Sequence, residues 1–408
     1  MKMNDIKLSL YKYKVKSMII NIDKDTKYTV DNNLILGFNI SEIFEKFYFP
    51  FFTIDIGLPN DIYRKLQNPK NKNSLKINLH IQKGKFTEAL SIDPNTNVSW
   101  KDYIKGSFHA VVGKDNPELS ERMQKEVERS ENSYGQITVV TLSLYNSSYY
   151  DNYDVVVNTN LENVTAVEAL TLVLNKAKIN KVLLSPPSNY KTYKQFPIVP
   201  IKLFQQIDRI TNTYAMHKKG TLIYFGLDRL YIVEKTPKCT AFEKNESKIT
   251  YITSATEGNA VKFTGGSYTN TKDNFNVLNA TNVKFDNTTS VTKKTIGENT
   301  VSVNVNTGSI TKTNKKATKI TNVVIQNEGN DTTSALNRAV NETKKILDCG
   351  FIDCDISTLT VNKQFVVSIE GSAYKKYNGK YRIVLADYSF IKEGNYFSVN
   401  ARAEFKGE

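Results

Sequence analysis

Cysteine and histidine side chains are the residues of this sequence with the widest chemical range, since they can act as nucleophiles, bases or metal ligands. The sequence contains Cys239, Cys349, Cys354, His80, His109 and His217. No two cysteines form a CxxC pair, and the histidines lie far from the cysteines without the spacing of metal ligands. We therefore predict free, mainly structural thiols and no metal site.

Two aspartates, Asp353 and Asp355, flank Cys354 on one face of a predicted strand. An aspartate pair can bind a hard cation, but such a site needs about six oxygen ligands and only two carboxylates are visible. A solvated strand face is the favoured interpretation. A nucleophilic triad of His109 with a cysteine and an aspartate has no support in the spacing of these residues.

Sequence motifs of known catalytic sites are absent. The chain has no GxSxG, HExxH, Walker or GxGxxG motif, and only 19 of its 408 residues are glycine. We predict no catalytic residue and no cofactor, and we expect a protein that is not an enzyme.

The net charge of +14 raises the question of nucleic-acid binding. Lysine far outnumbers arginine, and Lys, Asn, Ile, Tyr and Phe share A/T-rich codons, so coding bias accounts for much of the charge. The densest basic segments are TNKKATK near Lys315 and the pair Lys375–Lys376. A phosphate-binding surface usually concentrates its charge and prefers arginine, so we do not expect specific nucleic-acid binding.

Apolar segments of the length needed for membrane insertion are also missing. No apolar run approaches the roughly 20 residues of a membrane-spanning helix, and the first residues alternate like a strand instead of forming the apolar core of a signal peptide. We expect a protein that is made in a cytoplasm and stays soluble there.

Residues 1–155 are predicted to form a first β domain. Short runs rich in Ile, Val, Phe and Tyr predict strands at Leu8–Tyr11, Ser17–Ile22, Phe51–Ile56, Leu75–Gln82, Ser107–Val112 and Gln136–Leu144. His80 lies on the polar side of an alternating strand, which indicates a solvated residue. The charged segment 116–133 predicts a short exposed helix or lid.

Residues 156–239 are predicted to form a middle domain that contains helices. Thr165 and Glu168 have the spacing of a capping box at a helix start. A helical apolar face follows at Leu170, Val173, Leu174 and Ala177. Another amphipathic helix is predicted over Leu203, Phe204, Ile207, Ile210 and Tyr214, ending by Gly220, before a hairpin that turns near Gly226.

The remaining residues are predicted to form an insertion and a second β domain. Residues 240–330 are rich in Asn and Thr and indicate an exposed β insertion or extended loops. Residues 331–408 predict a helix from Ser334 through Leu347, with Gly350 left-handed at its end, and then strands. The predicted strands are Asp353–Leu359, Gln364–Glu370, Lys380–Phe390, with Tyr381, Ile383 and Leu385 on one face, and Asn395–Phe405. The predicted class is α+β, mainly β.

The last two predicted strands carry the motif that points to a family. Its residues are Gly379, Tyr381, Ile383, Tyr388, Gly394, Tyr396 and Ser398. This arrangement resembles the closing hairpin of baseplate hub proteins of contractile-tail phages and related injection devices, in which Gly-x-Tyr-x-Val leads to a turn and then Gly-x-Tyr/Phe-x-Thr. Ile383 replaces the valine, Ser398 replaces the threonine, and Tyr388 stands where the family often has histidine.

The resemblance implies a structural protein with two barrel-like antiparallel tube domains, at about residues 1–155 and 240–408. Such hubs form trimers whose pseudo-sixfold ring joins the sixfold tail tube to the threefold central spike. The implied partners are the tail tube, central spike and baseplate wedge proteins, and DNA passes through the ring without specific binding. The implied location is the virion baseplate, with assembly in the host cytoplasm.

Alternatives to the hub interpretation remain open at this point. Another tail component, such as a distal tail or receptor-binding protein, would share the β-rich composition, although such proteins usually show repeats that are absent here. A cell-wall-degrading tail enzyme would need a catalytic domain that the sequence does not reveal. The sequence does not distinguish a phage virion from a bacteriocin or a secretion device.

Overall fold

The fold is known from a computed structural model of the chain. It describes residues 6–23, 25–44, 49–68, 75–87, 98–115, 117–119, 121–157, 161–177, 179, 182–185, 193–196, 201–214, 216, 221–227, 229–234, 247–252, 267–270, 275–279, 282–285, 291–294, 300–303, 310–313, 346–361, 365–370 and 378–407.

Strands dominate the described residues. The N-terminal strands are β1 (Ile6–Asn21), β2 (Lys27–Thr29), β3 (Ile35–Ile43), β4 (Phe51–Pro59), β5 (Leu75–Thr87), β6 (Trp100–Asp115) and β7 (Ile137–Asn146). The middle strands are β8 (Val156–Val157), β9 (Leu161–Val164), β10 (Val182–Ser185), β11 (Tyr193–Phe196), β12 (Ile201–Lys202), β13 (Thr221–Phe225) and β14 (Leu230–Glu234). The C-terminal strands are β15 (Ser247–Ile252), β16 (Ser267–Asn270), β17 (Phe275–Asn279), β18 (Asn282–Phe285), β19 (Val291–Lys294), β20 (Thr300–Val303), β21 (Ile310–Thr313), β22 (Ile346–Ile352), β23 (Phe365–Glu370), β24 (Gly379–Glu393) and β25 (Tyr396–Gly407).

Helices are few and short. They are α1 (Asn60–Gln67), α2 (Glu121–Tyr134), α3 (Ser147–Tyr150), α4 (Ala166–Lys176) and α5 (Leu203–Thr213), with 3-10 turns at Asn32–Leu34 and Ile356–Thr358. This content confirms the predicted mainly-β α+β class, and α2 confirms the helix predicted within residues 116–133. No helix among the described residues combines the length and apolarity needed to cross a membrane.

An eight-stranded antiparallel barrel forms the centre of the fold. Its strands are paired in the order β1–β5–β6–β7–β4–β3–β24–β25, and the circuit closes where Tyr13 of β1 pairs with Phe397 of β25. Alternation explains the fold locally, because every second residue of β5 from Leu75 to Ile81 is buried in the core. The C-terminal hairpin therefore completes a barrel whose other six strands lie within the first 146 residues.

Further strands extend from the same hairpin. Strand β22 pairs with β25, and β23 pairs with β24. Strand β15 lies parallel to both β17 and β23, while β16 pairs with β17 and with the start of β1.

The domain bounds 1–155, 156–239, 240–330 and 331–408 stay predictions. The strand pairings show that strands from the first and last of these ranges share one sheet.

Several strands are longer than predicted because bulges and covered faces interrupt simple alternation. The two runs Leu8–Tyr11 and Ser17–Ile22 belong to one strand, β1, with a register shift between Val15 and Ser17. Strand β3 was not predicted. The first residues of β3 are buried on both faces of the strand, and Met123 of α2 lies so close to Gly37 that a Cβ atom there would be 2.9 Å from it. Because both faces are covered, apolar and polar residues do not alternate in this part of the sequence.

Strand β24 corrects one predicted face. Tyr381 and Ile383 are buried as expected, but the register shifts between Ile383 and Leu385. As a result Val384 and the alternate residues that follow it are buried instead, and Leu385 is only half-buried. The predicted common face of Tyr381, Ile383 and Leu385 is wrong because a bulge adds one residue to the strand.

The helix predicted to run through Leu347 to Gly350 is wrong in the part that the structure describes, since Ile346–Ile352 is strand β22. Leu347, Cys349 and Phe351 are buried on the barrel side with a period of two, and Ile352 is exposed. Gly350 lacks the predicted positive φ; Asp353 has φ 49 instead. The rest of that predicted helix, residues 334–345, lies outside the described residues.

The strand predicted at Asp353–Leu359 is also wrong. A turn leads into the 3-10 helix Ile356–Thr358, whose N-cap is Asp355. The Asp355 carboxylate accepts a hydrogen bond from the backbone N–H of Ser357 at 3.1 Å. An aspartate that can cap a turn in this way competes with continued strand pairing, which explains the error.

The middle of the chain confirms the predicted capping box. Thr165 is the N-cap of α4, and the Glu168 carboxylate accepts a hydrogen bond from the Thr165 backbone N–H at 2.7 Å. Helix α4 packs with α5 around a second apolar core that includes Leu170, Val173 and Ile207. Helix α5 ends at Thr213, earlier than predicted, and Gly220 lies outside the described residues.

The hairpin β13–β14, predicted near Gly226, joins the two cores. Its successive side chains alternate between them: Tyr224 and Leu227 belong to the barrel core, and Phe225 belongs to the helix-containing core. The Asn146 side chain donates a hydrogen bond to the Leu227 carbonyl at 2.9 Å. A strand pair buried on both faces attaches the middle segment to the end of the barrel.

Candidate functional site

The residues predicted from the hub-like motif lie along the hairpin β24–β25 and do not converge on one point. Gly394 forms the turn with φ +63, a conformation that favours glycine, whereas Gly379 is the exposed first residue of β24. Tyr381, Ile383 and Tyr388 are buried in the barrel core. Their side chains pack in that core.

Near the turn, the motif residues contact strands from the start of the chain. The Tyr396 ring stacks on Trp100 of β6 at 5.3 Å between ring centroids. Ser398 is buried, and its hydroxyl forms a hydrogen bond with the ammonium group of Lys12 of β1. The Tyr388 hydroxyl donates to the Leu359 carbonyl at 3.4 Å. These contacts place both ends of the chain in the same local structure.

An aromatic cluster fills the barrel where the hairpin meets β1 and β3. The Phe390 ring stacks on Phe38 at 4.0 Å and meets Tyr13 edge-on at 5.1 Å between centroids. The Tyr13 hydroxyl also donates to the Cys354 carbonyl at 3.1 Å. Phe38 and Tyr13 were not predicted, because β3 was not predicted and their contacts join distant parts of the chain.

A partly buried ionic cluster, which we call the Lys12 junction, joins β1 to the hairpin. It consists of Lys12, Asp353, Glu393 and Ser398. The Lys12 ammonium lies 2.7 Å from the Asp353 carboxylate and 2.8 Å from that of Glu393. Burial lowers the pKa of Lys12, but its bonds to the two carboxylates outweigh that effect and raise the pKa above its ordinary value.

The aspartates that were considered for cation binding have other partners. Asp353 accepts hydrogen bonds from Lys12 and from the backbone N–H of Val399. The Asp355 carboxylate accepts from the ammonium of Lys83 at 2.7 and 2.9 Å. Lysine ammonium groups therefore occupy the positions where a cation would bind. In the described part of the chain, no group of three or more His, Cys, Asp and Glu side chains is arranged to hold a metal ion.

Two histidines on the outer barrel surface lie within hydrogen-bond distance of aspartates. The His80 Nε2 atom lies 2.7 Å from Asp102, and its side chain is only 12% exposed, so the predicted solvated position is wrong. The His109 Nε2 atom lies 2.7 Å from Asp151, and its ring stacks on Tyr150. Neither histidine contacts Cys349 or Cys354 in the structure, while His217 and Cys239 lie outside the described residues.

Comparison with protein families identifies the chain. Its sequence matches the family described as bacteriophage PBS1 gene 109 protein over residues 1–406. The chain belongs to this family. No curated protein matches the sequence.

This member of the PBS1 gene 109 family is also similar in structure to three tail-related proteins. The 43 kDa tail protein of prophage MuSo2 from Shewanella oneidensis has 10% identity and a TM-score of 0.47, with 95% of this chain and 97% of that chain covered. A tail protein from Neisseria meningitidis has 11% identity and a TM-score of 0.44, covering 97% and 96%. An Escherichia coli type VI secretion component, itself similar to T4 tail proteins, has 8% identity and a TM-score of 0.44, covering 96% and 76%. Similarity at this level assigns neither activity nor partner.

A groove crosses the outer face of the barrel in this PBS1 gene 109 family member. It has a volume of about 490 Å³ and is lined by residues of β3, β22, β24 and β25 together with Phe51 of β4. The exposed side chains of Phe51 and Ile352 stand on opposite sides of it, at 56% and 43% exposure. No local sequence pattern marks the groove, because residues of five separate strands form it.

A charged network lies on one side of this groove. The Arg402 guanidinium lies 3.0 Å from both oxygens of Asp348, 3.5 Å from Asp387 and 2.9 Å from Glu404. Hydrogen bonding to Asp348 is the main cause of the raised pKa of Arg402. Three carboxylates around one guanidinium leave this region with a net negative charge, although the whole chain has a net charge of +14.

The thiol groups of Cys349 and Cys354 allow a direct test of the predicted structural role. Both are buried and free, and burial raises the pKa of each thiol well above its ordinary value. We expect neither to react with a disulfide reagent at pH 8 in the folded chain, since little thiolate is present. After denaturation all three cysteines of the sequence should react. Fast reaction of either buried thiol in the folded Cys239→Ser variant would contradict this expectation.

Proposed function

We propose that the chain is a non-enzymatic baseplate hub of a contractile phage-type tail. In this proposal three copies form a pseudo-sixfold ring that joins the sixfold tail tube to the threefold central spike. The observation that carries it is the closure of the eight-stranded barrel by the hairpin β24–β25, which holds the hub-like residues from Gly379 to Ser398. Membership of a bacteriophage protein family supports it.

The physical properties of the barrel suit such a role. A ring between a tube and a spike must transmit force without bending. In a closed antiparallel barrel each strand is hydrogen-bonded to a neighbour on both sides, which makes the barrel rigid. The Lys12 junction and the aromatic cluster around Phe390 add side-chain contacts where the circuit closes. These features stabilise one shape and require no reactive group.

The proposed partners follow from this position in the tail. They are the tail tube protein, the central spike protein and baseplate wedge proteins, with DNA passing through the ring without specific binding. The proposed location is the virion baseplate, after assembly in the host cytoplasm. The middle segment around α4 and α5 would face the spike or the wedges.

The first test is the native mass of the purified chain, measured by light scattering at several concentrations and salt levels. Three chains of 46.3 kDa give about 139 kDa, and a stable species of that mass with threefold symmetry in electron micrographs is expected for a hub. A sixfold ring would indicate a different tail component. A chain that remains at 46.3 kDa at every concentration would contradict the proposed ring.

A further inference from the structure

Exposed apolar side chains are grouped at two separate places among the described residues, while Tyr134, Leu172 and Ile391 are exposed outside them. One place is the groove, with Phe51 and Ile352 at its sides. The other, which we call the tyrosine surface, comprises Tyr150, Tyr153, Val155 and Val156, with exposures between 37% and 58%. Exposed apolar groups close together on a folded chain commonly mark a contact with another protein.

These two surfaces lie on opposite sides of the barrel. The groove is centred on β3, β24 and β25, and β24 is four places from β6 in the circuit of eight strands. Tyr150 of the tyrosine surface is attached at β6, because its ring stacks on His109 of that strand at 4.1 Å, whereas the Tyr153 ring lies 6.1 Å from that of Phe204 in α5. Asp151, the next residue, lies 3.6 Å from Lys76 of β5.

The charges on the two sides are complementary. Arg402 and the three carboxylates around it give the groove a net negative charge. On the other side, strands β5 and β6 contain six lysines against only two aspartates, Asp102 and Asp115. Among the lysines of these two strands whose side chains the structure describes, Lys76, Lys85, Lys101 and Lys105 are exposed. A second copy of the chain thus offers the charge that the groove attracts.

We propose that the tyrosine surface of one copy binds the groove of the next copy. This contact is head to tail, and repeated head-to-tail contacts produce a closed ring when the rotation between copies returns to the start. The inference rests on the proposed ring and adds to it the two surfaces that make the contact. The apolar side chains supply buried area, while the lysines and carboxylates set the orientation.

Three single substitutions test the contact at positions of nearly equal exposure. Ile352→Asp places a charge at the groove, and Tyr150→Asp places one on the tyrosine surface, at residues that are 43% and 41% exposed. Leu172→Asp, at a residue of α4 that is 47% exposed, is the matched control. We expect the first two variants to be monomers and the control to retain the native mass. Thermal unfolding verifies that each is folded, and Phe51→Asp is a second groove variant.

Mixing the two monomeric variants tests the direction of the contact. Ile352→Asp keeps an intact tyrosine surface, and Tyr150→Asp keeps an intact groove, so together they can form one contact but no further one. We expect a one-to-one complex of about 93 kDa, twice the chain mass of 46.3 kDa, in the mixture only. Failure of the mixture to associate would overturn the head-to-tail contact.

The outcomes separate this inference from the proposed function. If the natural chain forms the 139 kDa species and both folded variants form it equally well, the hub proposal stands and the assigned surfaces are wrong. If Leu172→Asp dissociates the ring as readily as the other two, the contact is also wrongly placed. If the natural chain never exceeds one copy, the ring itself is wrong.

Discussion

Replacing Phe390 with alanine is expected to lower the free energy of unfolding by about 3–5 kcal/mol, the usual cost of truncating a fully buried phenylalanine. Phe390 is 2% exposed and contacts both Phe38 and Tyr13. The loss of stability is large because removing the ring leaves a cavity in the core, at the point where the C-terminal hairpin packs against two N-terminal strands. Urea unfolding followed by circular dichroism measures it, provided that the transition stays two-state.

The neighbouring residue supplies the control. Ile391 is 37% exposed and points away from the barrel core, so Ile391→Ala is expected to change the free energy of unfolding by less than about 1 kcal/mol. Equal effects of the two substitutions would show that β24 does not present Phe390 to the core. That result would place the bulge of β24 elsewhere in the strand and change the register of the hairpin.

Replacing Lys12 with methionine is expected to lower the free energy of unfolding by about 3–5 kcal/mol, because it leaves the carboxylate of Asp353 buried without its cation. The Lys12 residue is 7% exposed and Asp353 is 8% exposed. The double variant Lys12→Met with Asp353→Asn removes both charges and is expected to lose less than the sum of the single changes. Additive losses in urea unfolding would indicate that the two groups do not interact.

The Lys12 junction also gives a dependence of stability on pH. The pKa of Lys12 is raised on folding, so its contribution is fully present below the unfolded value of about 10.4 and is lost as the pH rises through the folded value. We expect the natural chain to lose stability above about pH 10.4 more steeply than the Lys12→Met variant. If the free energy of unfolding falls with pH equally steeply in the two chains, titration of Lys12 does not contribute to the pH dependence of stability.

Regular alternation and capping were the features that sequence could predict. The segments Leu75–Ile81 of β5 and Val399–Phe405 of β25 alternate without interruption, and the Thr165–Glu168 capping box depends only on residues three apart. Such patterns are local, so one sequence is enough to recognise them. The mainly-β class followed from them.

The errors arose where long-range contacts override local pattern. The run Leu347–Gly350 is short and apolar, and its pairing with β25 makes it a strand despite a nearby helix cap. The bulge at Val384 and the doubly covered strand β3 depend on neighbours distant in the chain. The Lys12 junction joins residues more than 340 positions apart, and no spacing rule could bring them together.

The closure of the barrel by β24 and β25 has a consequence for synthesis of the protein in an infected cell. A ribosome delivers the six N-terminal barrel strands long before the last thirty residues emerge. Until the hairpin β24–β25 is translated, β1 and β3 therefore keep open edges, which are prone to aggregation. A nonsense mutation between the codons for Asn146 and Gly379 leaves those edges open permanently. The position of the hairpin thus makes translation through residue 407 a condition for a closed barrel.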